Sequence, residues 1–197
     1  MIKPTAITNS KKLIETTLKS KEIYDGRLLN VFVDTIRLPD GSQSTRDWIR
    51  HPGACAIVPV FDDQTVMLIQ QFRYPMKQIF YEVPAGKIDS GESAESTARR
   101  ELEEECGLIC NNLDYAGHFY PGIGYSDEVI HVYVATGLKE ISSKTDDDEF
   151  VINHRIPFKE AQQMISDGII SDGKTICAFN RTINWWKKNN PFPLDSI

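Results

Sequence analysis

The stretch GKIDSGESAESTARRELEEECGL, residues 86 to 108, constrains this chain more than any other part of it. A glycine-bracketed loop leads into a segment with helical periodicity from Ser93 to Cys106, and Gly107 supplies the stop. At about 100° per residue, Ala94, Ala98, Leu102 and Cys106 form a stripe that should face a core. Glu101 and Glu105 fall about 20° to either side of Ala94 and Glu104 about 80° away, so all three border that stripe. Glu95, Arg99 and Glu103 point outward. A solvated charged helix accounts for the outward set but not for carboxylates on the inner edge. Those repel one another and resist desolvation unless cations bind them. An oxygen-only cluster suits hard cations, Mg²⁺ or Mn²⁺, which share their ligands with a phosphate substrate. Arg100 is placed to offset part of the charge by pairing with a glutamate. Gly86 and Gly91 let the loop backbone approach a ligand, and the helix N-terminus adds a field that favours an anion.

The rest of the chain alternates strands with a few helices. The polar start, Ser10 to Ser20, is compatible with a helix. KEIYDGRLLNVFVDTIRLPDGSQSTRDWIRHP then reads as strands joined at Asp25-Gly26 and Pro39-Asp40-Gly41. ACAIVPVF and TVMLIQQFRYP are apolar, β-branched runs parted by Asp62-Asp63-Gln64, as in a buried hairpin. IFYEVPAG reads as a short strand that Pro84 and Gly86 end. LDYAGHFYP and VIHVYVATGL return to strand, and PFKEAQQMISDG and DGKTICAFNRTINWWKKN are helical by period. Without regular βαβ alternation, the expected class is a mixed α/β (α+β) sandwich rather than a doubly wound sheet.

A chain of 197 residues, 41% hydrophobic, builds one substantial core. We expect a β-rich extension over residues 1–50 and a main domain over 51–197. A formal net charge of -6 argues against a nucleic-acid binder, which needs a basic face to displace counterions. No run approaches a membrane helix, and MIKPTAITNSKK has no apolar signal core, so a cytoplasmic protein without membrane partners is expected. Cys55, Cys106, Cys110 and Cys177 lack zinc spacing and read as reduced packing thiols.

From Gly86 the chain runs through five residues to Glu92, seven more to Arg100-Glu101-Leu102, then Glu104-Glu105 and Gly107-Leu108. This pattern resembles the Nudix box at every defining position. WIRHPGACAIVPV, QQFRYP, YEVPAGKID and YPGIGYSDEVIHVYVA extend the likeness from Asp47 to Glu149, toward the ADP-ribose pyrophosphatases and related nucleoside-diphosphate-sugar hydrolases. The resemblance implies a Nudix fold, a mixed sheet sandwiched between helices. It also implies Mg²⁺-dependent hydrolysis of a nucleoside diphosphate sugar, with ADP-ribose giving AMP and ribose 5-phosphate. A homodimer built on the N-terminal strands is implied as well.

Carried over by position, Glu101, Glu105 and Glu104 would ligate metal, with the Ala85 carbonyl completing a shell. Gly86, Glu92, Arg100 and Gly107 would support the box. Arg73 and Glu82 would be substrate-side residues, with Arg73 on the phosphates, and Arg50 and Trp48 would contact the diphosphate and the base. The general base would come from TDDDEF, Glu149 first and Asp148 second, or from Glu104 or Glu105 in the box. Each residue also has a plainer role: Trp48 as packing, Arg50 as a surface ion pair, Glu82 as an outward strand residue, the acidic run as a solvated loop. His118 and His131 read as packing histidines. Pro121 stands somewhat nearer the box than the proline common among ADP-ribose enzymes, which keeps a GDP-mannose-type or broad nucleotide-sugar hydrolase open. A Nudix module that senses ADP-ribose without cleaving it is the alternative of another class.

Overall fold

The computed structural model describes residues 10–141 and 150–189. By internal contacts the chain divides into two compact units, Met1–His51 with Gly122–Glu128, and Pro52–Pro121 with Val129–Ile197.

In the first unit a single 3-10 turn, Ser10–Leu13, precedes an antiparallel sheet of β1 (Thr16–Asp25), β2 (Asn30–Arg37) and β3 (Gln43–Arg50). The helix compatible with Ser10 to Ser20 is therefore replaced by strand from Thr16 onward. Thr16 and Thr17 are β-branched and pair with Arg37 and Ile36, so the ladder to β2 outweighs a weak helical tendency. Both turns form as the sequence suggests. Asn30 donates to the Asp25 carboxylate at 2.5 Å across the first, and Leu38 N–H meets the Ser42 carbonyl at 2.8 Å across the second. The segment 122–128 joins this unit through Ile49 N–H to the Tyr125 carbonyl at 2.7 Å and His51 N–H to Asp127 at 2.7 Å.

The second unit contains β4 (Ala54–Pro59), β5 (Thr65–Arg73), β6 (Gln78–Glu82), β7 (Ala85–Lys87), α1 (Ala94–Cys106), β8 (Leu108–Phe119), β9 (Ile130–Glu140), β10 (Val151–Pro157), α2 (Phe158–Ser166) and α3 (Gly173–Asn189). One sheet has the order β7-β4-β9-β8 with β4 and β9 parallel, and another the order β10-β5-β6. The mixed sheets and the helices on both faces agree with the expected class. All of β4 is buried, as its unbroken apolar run requires of a strand covered on both faces. Alternation sorts the side chains into two cores. Ala54, Ala56 and Val58, with Val66 and Leu68 and with Val132 and Val134, pack against Phe158, Ala161, Ala178 and Phe179 of α2 and α3. Cys55 and Ile57, with Met67 and Ile69, pack against Ala98, Leu102 and Cys106 of α1. The strand read at IFYEVPAG is two strands, because Pro84 supplies no N–H to a ladder. Gly86 lies inside β7, paired with Cys55, instead of ending a strand. No helix among the described residues is long and apolar enough to cross a membrane.

Candidate active site

The helix carrying the glutamates is fixed at both ends. Ser93 caps α1 by accepting from Ser96 N–H, and the Ser96 side chain reciprocates on the Ser93 backbone. At the other end Gly107 takes the left-handed conformation, φ 62°, that a side chain resists, and the chain turns directly into β8. With both termini set, rotation of the helix about its axis is decided by the apolar stripe. Ala98 and Leu102 are buried on the β4 side as the periodicity predicts.

That rotation drives two carboxylates inward. Glu101 is 8% exposed and Glu105 3%, while Glu104 is half-buried. Glu105 Oε2 accepts the Ala85 N–H at 2.8 Å, which sets the carboxylate against the backbone of β7. Beside it, a Cβ built on Gly86 would collide with the Glu101 carboxylate. Only glycine leaves room there for that group.

Arg100 is the cation of the cluster. Its Nη1 donates to Glu101 Oε1 and to Glu104 Oε2, each at 2.8 Å, and its Nε and Nη2 donate to Glu92 at 3.2 Å. The hydrogen bonds it donates to Glu92, and next to Glu104, raise the guanidinium's pKa against the effect of burial. Reciprocally, Arg100 and then the Thr97 hydroxyl, at 2.7 Å, hold Glu92 below the usual carboxylate range. The side-chain groups available as ligands are all carboxylate oxygens, which fits a hard divalent cation. Among the described residues no three His, Cys, Asp or Glu side chains form a ready cage. Ligation would therefore have Glu101 and Glu104 exchange part of their pairing with Arg100 for a cation.

Arg73 and Glu82 are brought together. Arg73 grips the carboxylate with Nε at 2.7 Å and Nη2 at 2.6 Å, and Glu82 is only 1% exposed, so it is not an outward strand residue. The hydrogen bonds to Glu82 raise the arginine's pKa against burial, with Glu105 and Asp172 contributing through their fields. Glu82 has a second cation that sequence reasoning missed, Lys174 in the first turn of α3. Asp172 anchors that turn, accepting Thr175 N–H at 3.0 Å, and the helix N-cap pattern Asp-x-x-Thr was the available signal.

Trp48 and Arg50 belong to the first unit. Trp48 stacks on Phe32 with centroids 4.9 Å apart, and the Arg50 guanidinium lies 4.2 Å from the Phe32 centroid. Their contacts there are aromatic and cation-π. Glu149 and Asp148 lie outside the described residues. The four cysteines are free, and burial pushes the Cys55 thiol up to about 12, away from reactivity. His131 and His118 flank the Tyr115 hydroxyl, His118 at 3.0 Å, and burial followed by His118 lowers the pKa of His131.

Residues 50–179 match the model of the NUDIX domain, and residues 15–49 match that of the nucleoside diphosphate sugar hydrolase N-terminal domain. The chain is 40% identical over 166 residues to the methanol dehydrogenase activator of Bacillus methanolicus, covering 83% of this chain and 90% of that protein. It is 36% identical over 170 residues to the ADP-ribose pyrophosphatase of Bacillus subtilis, covering 85% and 92%. A crystal structure of an ADP compounds hydrolase superposes with a TM-score of 0.80 at 23% identity, over 93% of this chain and all of the other, a likeness of fold. With its glutamate helix, its glycine at 86 and the family model spanning 50–179, this chain belongs to the Nudix family.

Proposed function

We propose that this protein hydrolyses the diphosphate bond of a nucleoside diphosphate sugar, with ADP-ribose as the first substrate and AMP and ribose 5-phosphate as products. The observation that carries this reading is the pair of buried carboxylates, Glu101 and Glu105, pressed against the Ala85-Gly86 backbone. The likeness to the ADP-ribose pyrophosphatase of Bacillus subtilis supports the substrate class. Mg²⁺, with Mn²⁺ as its close substitute, would be held by Glu101, Glu105 and Glu104 with the Ala85 carbonyl. When bound it would neutralise diphosphate oxygens and acidify a water for attack on phosphorus.

The chain's own residues do the rest. Glu105 is held by Ala85 N–H, and Glu101 by Arg100, so the carboxylates present fixed oxygens instead of sampling rotamers. Arg73 offers its guanidinium to the phosphates and Glu82 orients it. Proton removal from the attacking water falls to Glu149, or to Glu104 or Glu105. Trp48 and Arg50 provide an aromatic surface and a cation for base and diphosphate.

The protein acts as a cytoplasmic homodimer in this reading. All ten positions of β1 are exposed, among them Leu18, Ile23 and Tyr24, which supports a second copy covering that strand. A sensing module that binds ADP-ribose without cleaving it is disfavoured by the retention of Glu101, Glu104 and Glu105. The test is incubation with Mg²⁺ and ADP-ribose, GDP-mannose, ADP-glucose, NADH and diadenosine polyphosphates, with products identified. Cleavage of ADP-ribose to AMP is expected, and no cleavage of any member would refute the enzyme reading.

A further inference from the structure

Glu82 meets two cations, Arg73 and Lys174, the second of them shared with Asp172. Its carboxylate, 1% exposed, accepts two hydrogen bonds from the Arg73 fork, Nε to Oε1 and Nη2 to Oε2. That fork alone neutralises a carboxylate and satisfies it bidentately. Yet Lys174 Nζ also donates to Oε2. The two cations differ in freedom. The Arg73 side chain is 40% exposed, whereas the Lys174 side chain is 16% exposed and is held a second time by Asp172 at 2.9 Å. Asp172 in turn accepts from the Thr175 hydroxyl at 2.6 Å, and Thr175 accepts Val83 N–H at 2.9 Å, tying the start of α3 to the residue after Glu82. Lys174 is thus the fixed counter-ion of Glu82, and Arg73 the reachable one.

A buried carboxylate stripped of its only cation is strongly disfavoured, so an arginine that alone neutralised Glu82 would resist turning toward any other anion. We propose that Lys174 is a positioning residue: by keeping Glu82 neutralised, it leaves Arg73 available to bind the diphosphate of the substrate. This rests on Arg73 being the phosphate-binding arginine of the proposed function. In this proposal Lys174 acts through Glu82 and Arg73, not by contact with the diphosphate.

A double-mutant cycle on the full chain tests this, read as the dissociation constant of ADP by calorimetry and as kcat for ADP-ribose. Lys174→Met should weaken ADP about 10-fold, equivalent to about 1.4 kcal/mol, with kcat kept within about 2-fold, and Lys174→Arg should restore the affinity. In an Arg73→Ala background, Lys174→Met should change ADP affinity by less than about 2-fold, because its effect runs through Arg73. Unchanged ADP affinity in Lys174→Met, or the same loss with Arg73 already removed, would overturn the proposal. Where Lys174→Met does not fold, Lys174→Gln, which keeps a donor without the charge, carries the same expectations. A wild-type protein that binds ADP but cleaves no ADP-ribose would refute the hydrolase reading alone, and ADP affinity of the variants would still decide the role of Lys174. No binding of ADP by the wild type would overturn it.

Discussion

Glu105 Oε2 accepts the backbone N–H of Ala85 at 2.8 Å, so a carboxylate at the last turn of α1 is locked to the strand that carries Gly86. The bond fixes one oxygen of a buried acid against the backbone of β7.

A glutamine can keep that hydrogen bond through its amide oxygen but carries no charge to offer a cation. Glu105→Gln is therefore expected to fold with a melting temperature near that of the wild type while turnover falls at least about 100-fold, or about 2.7 kcal/mol of transition-state stabilisation. Calorimetry beside steady-state rates separates the two. Unchanged turnover would remove Glu105 from the metal shell.

Gly86→Ala puts a Cβ where the Glu101 carboxylate lies. The carboxylate is the flexible end of its side chain and can swing away, so the cost in stability should be modest, about 1–3 kcal/mol. With Glu101 a metal ligand as proposed, its displacement should raise the Mg²⁺ concentration needed for half-maximal activity, a shift read by metal titration. An unaltered metal requirement would show that the glycine serves packing only.

Asp172 gives a pH signature. Burial raises its pKa, but Lys174 and the Thr175 hydrogen bonds outweigh burial, and the group ends below the ordinary 3.8 of an aspartate. A depressed carboxylate stabilises the fold above its unfolded pKa, and that contribution is lost as pH falls through the folded value. Asp172→Asn keeps an N-cap oxygen without the charge. The wild type should melt higher than this variant at pH 7, and the difference should shrink below about pH 4. A difference that stays constant down to pH 3 would contradict the charge-based account.

Leu102, 1% exposed on the core face of α1, fixes the rotation that buries Glu101 and Glu105. Leu102→Ala should cost about 2–5 kcal/mol of stability by denaturant unfolding. A loss below about 1 kcal/mol would mean that the stripe does not set the helix.

The helix wheel made the box legible because its cause is local. A stripe of Ala98, Leu102 and Cys106 forces Glu101 and Glu105 inward whatever the surrounding fold. The turns at Asp25-Gly26 and Pro39-Asp40-Gly41 were legible for the same reason. Lys174 was not, because it reaches Glu82 across 92 residues of sequence, and no periodicity encodes that meeting. The strand from Thr16 was likewise hidden, since its form comes from pairing with β2. Gly86 read as a strand terminator until its clearance from Glu101 showed why a side chain is excluded.

The central claim is that Glu101 and Glu105 hold a divalent cation for cleavage of a nucleoside diphosphate sugar. Its most direct test is ADP-ribose hydrolysis followed by AMP release, with Mg²⁺ and with chelator, for the wild type and a Glu101→Gln/Glu105→Gln variant. The account predicts AMP formation by the wild type that stops with chelator and returns with added Mg²⁺, and none above background from the variant at any Mg²⁺ concentration. AMP release by the wild type that persists in chelator, or by the variant at the wild-type rate, would contradict it.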